Sequence, residues 1–394
     1  MANRWVIAIA GTLMQVALGA VYAWSVFRKP LAAALGASTT EVNLAFTTTI
    51  VMLGIAAFVG GLWLPKVGPR VIGMIGGALY GLGTFLAGFA EGHLVVLYVT
   101  YGVVAGAGLG LGYIVPIATL VKWFPDRRGL ITGVAVAGFG CGALIFGPLA
   151  RHLIATHGPF DAFRVIGVVY FVLVVATAAV LVNPPEGAVV ARRRAHKPSV
   201  AYELSDALKT AQWYALWLLL FLSVTAGISL IAEAAPMAQE VGHASEVEAA
   251  ALVGTIAIFN GAGRFVWAAL SDVIGRRAVF VIIFVVQASV FFLLSRVHSY
   301  GAFLALACAS LFCYGGGFGT MPAFAADFFG SRNVGKVYGL MLTAWGAGAL
   351  VGPILLSRVR DATGEYTHGL QAIAAIMIVG VIVPVFVKRP TPTG

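Results

Sequence analysis

Along the chain, long apolar runs alternate with short polar breaks. The runs lie near residues 5–27, 42–64, 71–90, 94–121, 129–150, 163–183, 213–236, 249–270, 278–296, 300–326, 334–357 and 369–387, twelve in all. A helix needs about 20 mainly apolar residues to cross a bilayer. Lipid leaves the backbone only two solutions, the helix and the closed barrel, and these runs lack the period-two alternation of barrel strands. The pattern therefore predicts an all-α membrane protein with twelve transmembrane helices. The first run is too long for the 7–15-residue core of a signal peptide and reads as the first span.

Composition sharpens this. Of the 394 residues, 60% are hydrophobic and 10% charged, against about 25% charged in a soluble domain. That excludes an ordinary soluble enzyme, a disulfide scaffold and a disordered chain. The 49 glycines fit helices that approach closely in lipid. The net charge of +10 reads as topology, with no nucleic-acid partner. With both termini cytoplasmic, 17 Lys and Arg fall in inside segments, from Arg4 through Arg192-Arg193-Arg194 to Lys388 and Arg389, and 7 fall outside. This expects a multi-pass cell-membrane protein with both ends in the cytoplasm. Cys141, Cys308 and Cys313 lie in apolar stretches without metal-ligand spacing, and the seven histidines fall in loops or helix ends. No enzyme chemistry, cofactor or metal is implied.

The longest polar stretch, Pro184 to Gln212, sits between spans six and seven. Residues on either side repeat. Pro116 and Pro322, Gly133 and Gly339, Gly142 and Gly348, and Leu144 and Leu350 are each 206 apart, and Gly68 and Gly275 are 207 apart. The expected organisation is a six-helix bundle over 1–184, a cytoplasmic linker over 185–212 and a second six-helix bundle over 213–394. Repeats of this kind place a substrate site at their interface, near mid-membrane.

Leu270-Ser271-Asp272-Val273-Ile274-Gly275-Arg276-Arg277 resembles the cytoplasmic loop signature of the major facilitator superfamily (MFS), in which an acid and basic residues lock a helix hairpin. The first-half copy, Leu64-Pro65-Lys66-Val67-Gly68-Pro69-Arg70, has Pro65 in place of the acid, so a weaker clamp is expected there. Trp123-Phe124-Pro125-Asp126-Arg127-Arg128-Gly129-Leu130-Ile131-Thr132-Gly133, followed by a Gly/Ala ladder, is similar to the signature of the monocarboxylate porter family. The match looks closest to the bacterial branch that includes the oxalate:formate antiporters. The resemblance covers essentially the whole chain and implies the MFS fold.

Arg264 is the one basic residue within a span, in Phe259-Asn260-Gly261-Ala262-Gly263-Arg264-Phe265. A charge there costs about 2.5–3.5 kcal/mol on insertion scales, so it faces a cavity or a partner. It could instead snorkel to the interface or pair with a structural acid. The flanking glycines favour open space beside it. A guanidinium suits a carboxylate through two parallel charge-assisted hydrogen bonds. Asn260 lies one turn away on the same face. In the resembled family this helix carries the substrate-binding Arg, and the animal branch has an acid where this chain has Asn260.

One buried cation balances one carboxylate. The oxalate-carrying relatives place a second cation on span eleven, and aligning Tyr338-Gly339 puts Trp345 there. The expected substrate is a small monocarboxylate such as L-lactate or pyruvate. By resemblance Tyr22, Tyr113, Phe139, Tyr314 and Phe318 line the site with Arg264, Asn260 and Trp345. Each aromatic by itself also suits helix packing. Arg28, Lys29, Glu41 and Glu233 read as outer-rim residues, and Asp327 as a brace of the inner gate. The expected function is secondary active transport by alternating access, with a proton as co-substrate; the alternative is an organic-anion exchanger without proton coupling.

Overall fold

The computed structural model describes residues 3–185 and 201–390. The expected linker charges Arg192, Arg193, Arg194 and Lys197 lie outside the described residues. Ten continuous apolar helical runs are long enough to span a bilayer. Two of them, Thr39–Ala87 and Arg128–Val180, are each divided by a glycine with positive φ, Gly68 (φ 83°, ψ 165°) and Gly158 (φ 83°, ψ 169°). An L-residue is strained there, so glycine is needed. Proline follows each, as Pro69 and Pro159, where a helix tolerates it best because its missing N–H is one of the orphans.

Twelve spans result among the described residues. They are α1 (Arg4–Leu35), α2 and α3 (the arms of Thr39–Ala87), α4 (Leu94–Trp123), α5 and α6 (the arms of Arg128–Val180), α7 (Ala211–Glu240), α8 (Glu246–Ile274), α9 (Arg276–Leu294), α10 (Tyr300–Phe329), α11 (Val334–Thr363) and α12 (Thr367–Phe386). They form two six-helix bundles with both chain ends on one side, here the termini end. α1 runs past its expected limit at Phe27 through Arg28 and Lys29, and stops at Gly36 in the left-handed region (φ 60°).

The sequence repeat is also a structural repeat. α2 and α8 both open with a capping box, Ser38 with Glu41 and Ser245 with Glu248. Each box satisfies helix-end N–H groups reciprocally. Glu41, read as a rim residue, is therefore committed to a helix cap. Gly68 has its counterpart in Gly275 (φ 91°, ψ 150°), at the same turn of the other bundle.

The bundles meet along two related seams. In one, a methyl on Gly133 of α5 would lie 2.6 Å from Ala268 Cβ of α8. In the other, a methyl on Gly339 of α11 would lie 2.8 Å from the Ala57 carbonyl of α2. Gly61 and Gly335 deepen the second seam, where a methyl on Gly61 would overlap the Gly335 carbonyl. Farther from the termini, Gly147, Gly254 and Gly346 face no atom within 4 Å. The close glycine contacts between the bundles thus lie toward the termini end.

Charge fastens the α5–α8 seam. Asp272 accepts from the Gly129 and Leu130 amides at 3.0 and 2.8 Å, meeting the positive end of α5 with a carboxylate. Asp327 bridges the bundles, accepting from Arg128 at 2.8 Å and Arg276 at 3.0 Å. Across the α2–α11 seam, Lys66 and Arg70 have no side-chain partner among the described residues, consistent with Pro65 in the acid position. Within the second half, Glu203 ahead of α7 receives Lys336 at 3.1 Å and Asn333 at 3.0 Å. These contacts hold Glu203 below the usual carboxylate range, Lys336 first and Asn333 next.

Candidate functional site

The site is built around Arg264. Close glycine contacts bring α8 and α10 together: methyls on Gly263, Gly315 and Gly319 would overlap the carbonyls of Phe312, Asn260 and Arg264. With the backbones so near, the Arg264 side chain has no room on that side and extends toward α5. It is fully buried. Nε donates to Asn260 Oδ1 at 3.3 Å, and Nη1 donates across the seam to the Val136 carbonyl at 3.2 Å. Nη2 is buried without a partner. No carboxylate pairs with Arg264 among the described residues, and the side chain does not reach the interface.

The rings of Phe139 and Phe318 face the guanidinium at 5.8 and 5.3 Å. Such contacts stabilise a cation by about 0.5–2 kcal/mol. That compensates only part of the cost of a buried charge, which lacks an anionic partner.

The other expected residues gather on the same rings. Tyr22 and Tyr113 meet Phe139 edge-on at 5.3 and 5.1 Å. Trp345 packs on Phe318 at 4.8 Å, Tyr113 at 6.0 Å and Phe139 at 6.2 Å. Tyr314 meets Phe318 at 5.3 Å. All eight residues thus form one cluster, drawn from α1, α4, α5, α8, α10 and α11. Two sit where helical regularity lapses: Tyr22 in a 3-10 segment, Ala20–Ala23, and Trp345 just past the break at Leu342. Such lapses inside a span often mark hinges.

The polar chemistry is unsatisfied. The hydroxyls of Tyr22, Tyr113 and Tyr314 are buried without partners, and so is that of Tyr338. Buried polar atoms are nearly always paired, so donors grouped around a cation in this way suit a partner rich in acceptors. A carboxylate with a neighbouring oxo or hydroxyl group has that character.

Two members were missed in the sequence. Tyr338 entered only as an alignment anchor. Gln15 donates to the Tyr113 carbonyl at 3.1 Å, and its Oε1 is buried and unpaired. A buried Gln within an otherwise apolar first span was the available signal. Glu233 lies away from this cluster, near the far end, and accepts from the Tyr366 hydroxyl at 2.7 Å. No group of three or more His, Cys, Asp or Glu converges as a metal site among the described residues.

The family description of the Major Facilitator Superfamily matches residues 4–242 and again residues 224–394. The oxalate:formate antiporter of Oxalobacter formigenes is 31% identical over 353 residues, which span 89% of this chain and 83% of that protein. Apicoplast pyruvate carrier 1 of Toxoplasma gondii is 27% identical over 405 residues, spanning 84% of this chain and 72% of the carrier. The crystal structure of the MFS transporter FucP in the outward conformation superposes with a TM-score of 0.76 at 16% identity, covering 98% of this chain and 99% of that one. By its repeat, its twelve spans and these relationships, the chain belongs to the major facilitator superfamily, in its monocarboxylate porter family.

Proposed function

We propose that the protein is a secondary active carrier of small monocarboxylates such as L-lactate or pyruvate. The observation that carries this reading is the buried Arg264 Nη2, unpaired among four orphan tyrosine hydroxyls. A single carboxylate would meet the guanidinium fork, and the hydroxyls of Tyr113 and Tyr314 would reach its second oxygen and its 2-oxo or 2-hydroxy group. Asn260 and Val136 hold the fork in place, while Phe139, Phe318 and Trp345 supply apolar walls for a methyl group. One relative is a pyruvate carrier and another an oxalate:formate antiporter, which supports an organic anion as cargo. With one cation and no second basic side chain in the cluster among the described residues, the site favours a monoanion.

Alternating access follows from the two seams. The bundles rock about the site, and a neutralised Arg264 is less costly to occlude than a bare one. The positive-inside bias supports a cytoplasmic position for the closed termini end. The bound anion crosses with a proton in a symport cycle. A second reading is anion exchange without a proton. It is favoured by Asn260 beside Arg264 in place of an acid, with no carboxylate against the guanidinium among the described residues.

The test is uptake of labelled L-lactate into proteoliposomes. An acid-outside gradient should drive accumulation in the symport reading, and the Arg264→Gln variant should abolish it. Counterflow without a pH gradient, unmatched by gradient-driven accumulation, would establish exchange instead. Normal uptake and affinity in Arg264→Gln would remove the binding role, and strong inhibition by oxalate would count against a monoanion site.

A further inference from the structure

Away from the central cluster, a cleft of about 440 Å³ opens at the termini end between the α8–α9 turn, the end of α10 and the end of α12. Four of its lining residues are basic (Arg276, Arg277, Lys388 and Arg389) and one is acidic, Asp327. Asp327 is already held by Arg128 and Arg276. Arg276 is in turn committed to Asp327, Asp272 and Ser271. Arg277 donates to the Pro384 and Val385 carbonyls and so caps the C-terminal end of α12. Lys388 and Arg389 have no side-chain partner among the described residues. The first turn of α9 has no side-chain cap, which adds unpaired amides to the same wall.

Val273, next to the lining residue Ile274, and Phe386, two residues before Lys388, are 82% and 76% exposed, and exposed apolar residues continue along α12 from Ile378 through Ile382 to Val385. This stripe leads along the span directly to Lys388. Outward apolar residues are common to the spans, but here they run up to two unpartnered cations, so a phospholipid could place its head on the cations and its chains along the same helix.

We propose that this cleft binds the phosphate of an anionic phospholipid, with Lys388 and Arg389 as the primary contacts and the acyl chains along α12. The site is independent of the transported substrate. It also touches the gate: Arg276 lines the cleft and pairs with Asp327, the residue that bridges the bundles. A headgroup phosphate there adds an anion beside the committed Arg276 guanidinium, so the lipid tunes how firmly the termini end closes.

The experiment titrates the purified full chain, in detergent, with phosphatidylglycerol or phosphatidylcholine and counts bound lipid by native mass spectrometry. Phosphatidylglycerol should bind in preference. The double variant K388Q/R389Q, which alters only exposed side chains, should weaken it by about 30-fold from the loss of two interfacial cations. The charge-preserving K388R/R389K should bind as the unaltered chain does. Millimolar inorganic phosphate should leave the bound lipid in place. Equal binding of the two lipids, undiminished binding by K388Q/R389Q, or displacement by inorganic phosphate alone would each overturn the proposal.

Discussion

Arg264 Nη1 on α8 donates to the Val136 carbonyl on α5, 3.2 Å away and in the other bundle. The side chain proposed to hold the substrate therefore also ties the two bundles together. Charge-assisted hydrogen bonds of this kind contribute about 1.5–3 kcal/mol each. Arg264→Lys keeps the charge but loses the planar fork, so the apparent affinity for L-lactate should drop by about 10- to 150-fold. Binding isotherms on purified protein would measure this, and an Arg264→Lys affinity within twofold of the unaltered chain would refute the bidentate role.

Trp345 sits on the rings of Phe318, Tyr113 and Phe139, in the position where the oxalate-carrying relatives are expected to have a second cation. A lysine there would place a second charge near Arg264 and remove an apolar wall. Trp345→Lys should lose lactate uptake and gain inhibition by oxalate. The paired competition assay is decisive: unchanged oxalate sensitivity would show that charge counting does not set selectivity here.

Asp327 joins Arg128 and Arg276 across the α5–α8 seam, all three only slightly exposed. Asp327→Asn leaves two guanidinium groups without their anion and should shift the equilibrium toward opening at the termini end by about 5- to 30-fold. Spin labels at Lys66 and Arg332, both exposed at that end, would report the longer distance. An unaltered distance distribution would mean that the glycine seams close the gate without help from this charge network.

Much of this was legible beforehand, because lipid imposes simple rules. Twelve runs gave twelve spans, since a spanning helix has a fixed minimum length. The 206-residue offset placed Gly133 and Gly339 on matched seams because small residues mark close contact. Arg264 stood out because an intramembrane charge is costly. Other features depend on tertiary contact and leave little trace in one sequence. Asn260 was paired with Arg264 from helical spacing, but the Val136 carbonyl is a backbone atom and carries no side-chain signal. Tyr338 was hidden among twelve tyrosines, since only packing leaves its hydroxyl buried. Glu41, exposed as a rim charge would be, also caps its helix through Ser38, a role that the rim reading does not include.

Glu203 gives the fold a pH-sensitive joint. Lys336 and Asn333 depress its carboxyl below the usual range, so its contribution is full above the unfolded carboxylate pKa and fades as pH falls through the lowered folded value. The Tyr202 amide, bonded to the Phe329 carbonyl at 3.0 Å, reports this docking. Its intrinsic-rate-corrected hydrogen-exchange protection should decrease as the pH falls below the ordinary glutamate range. Glu203→Gln should show weaker protection at neutral pH and little further change on acidification. A variant with the same pH profile as the unaltered chain would assign the transition to another group.

Two glycines separate conformational balance from folding. A methyl on Gly61 would overlap the Gly335 carbonyl, which belongs to the opposite bundle, whereas a methyl on Gly263 would overlap the Phe312 carbonyl within the same bundle. The bundles can relieve the first clash by rocking apart, as the transport cycle already requires. The second clash lies between helices that move together, so relief means distorting the bundle. Gly61→Ala should therefore fold normally, lengthen the Lys66–Arg332 label distance and slow transport by disfavouring closure of the termini end. Gly263→Ala should lower the thermal unfolding midpoint, with overpacking costs of about 1–3 kcal/mol. If Gly61→Ala destabilised the protein as much as Gly263→Ala while leaving the label distance unchanged, the α2–α11 seam would be a fixed packing contact and the gate would have to be sought elsewhere.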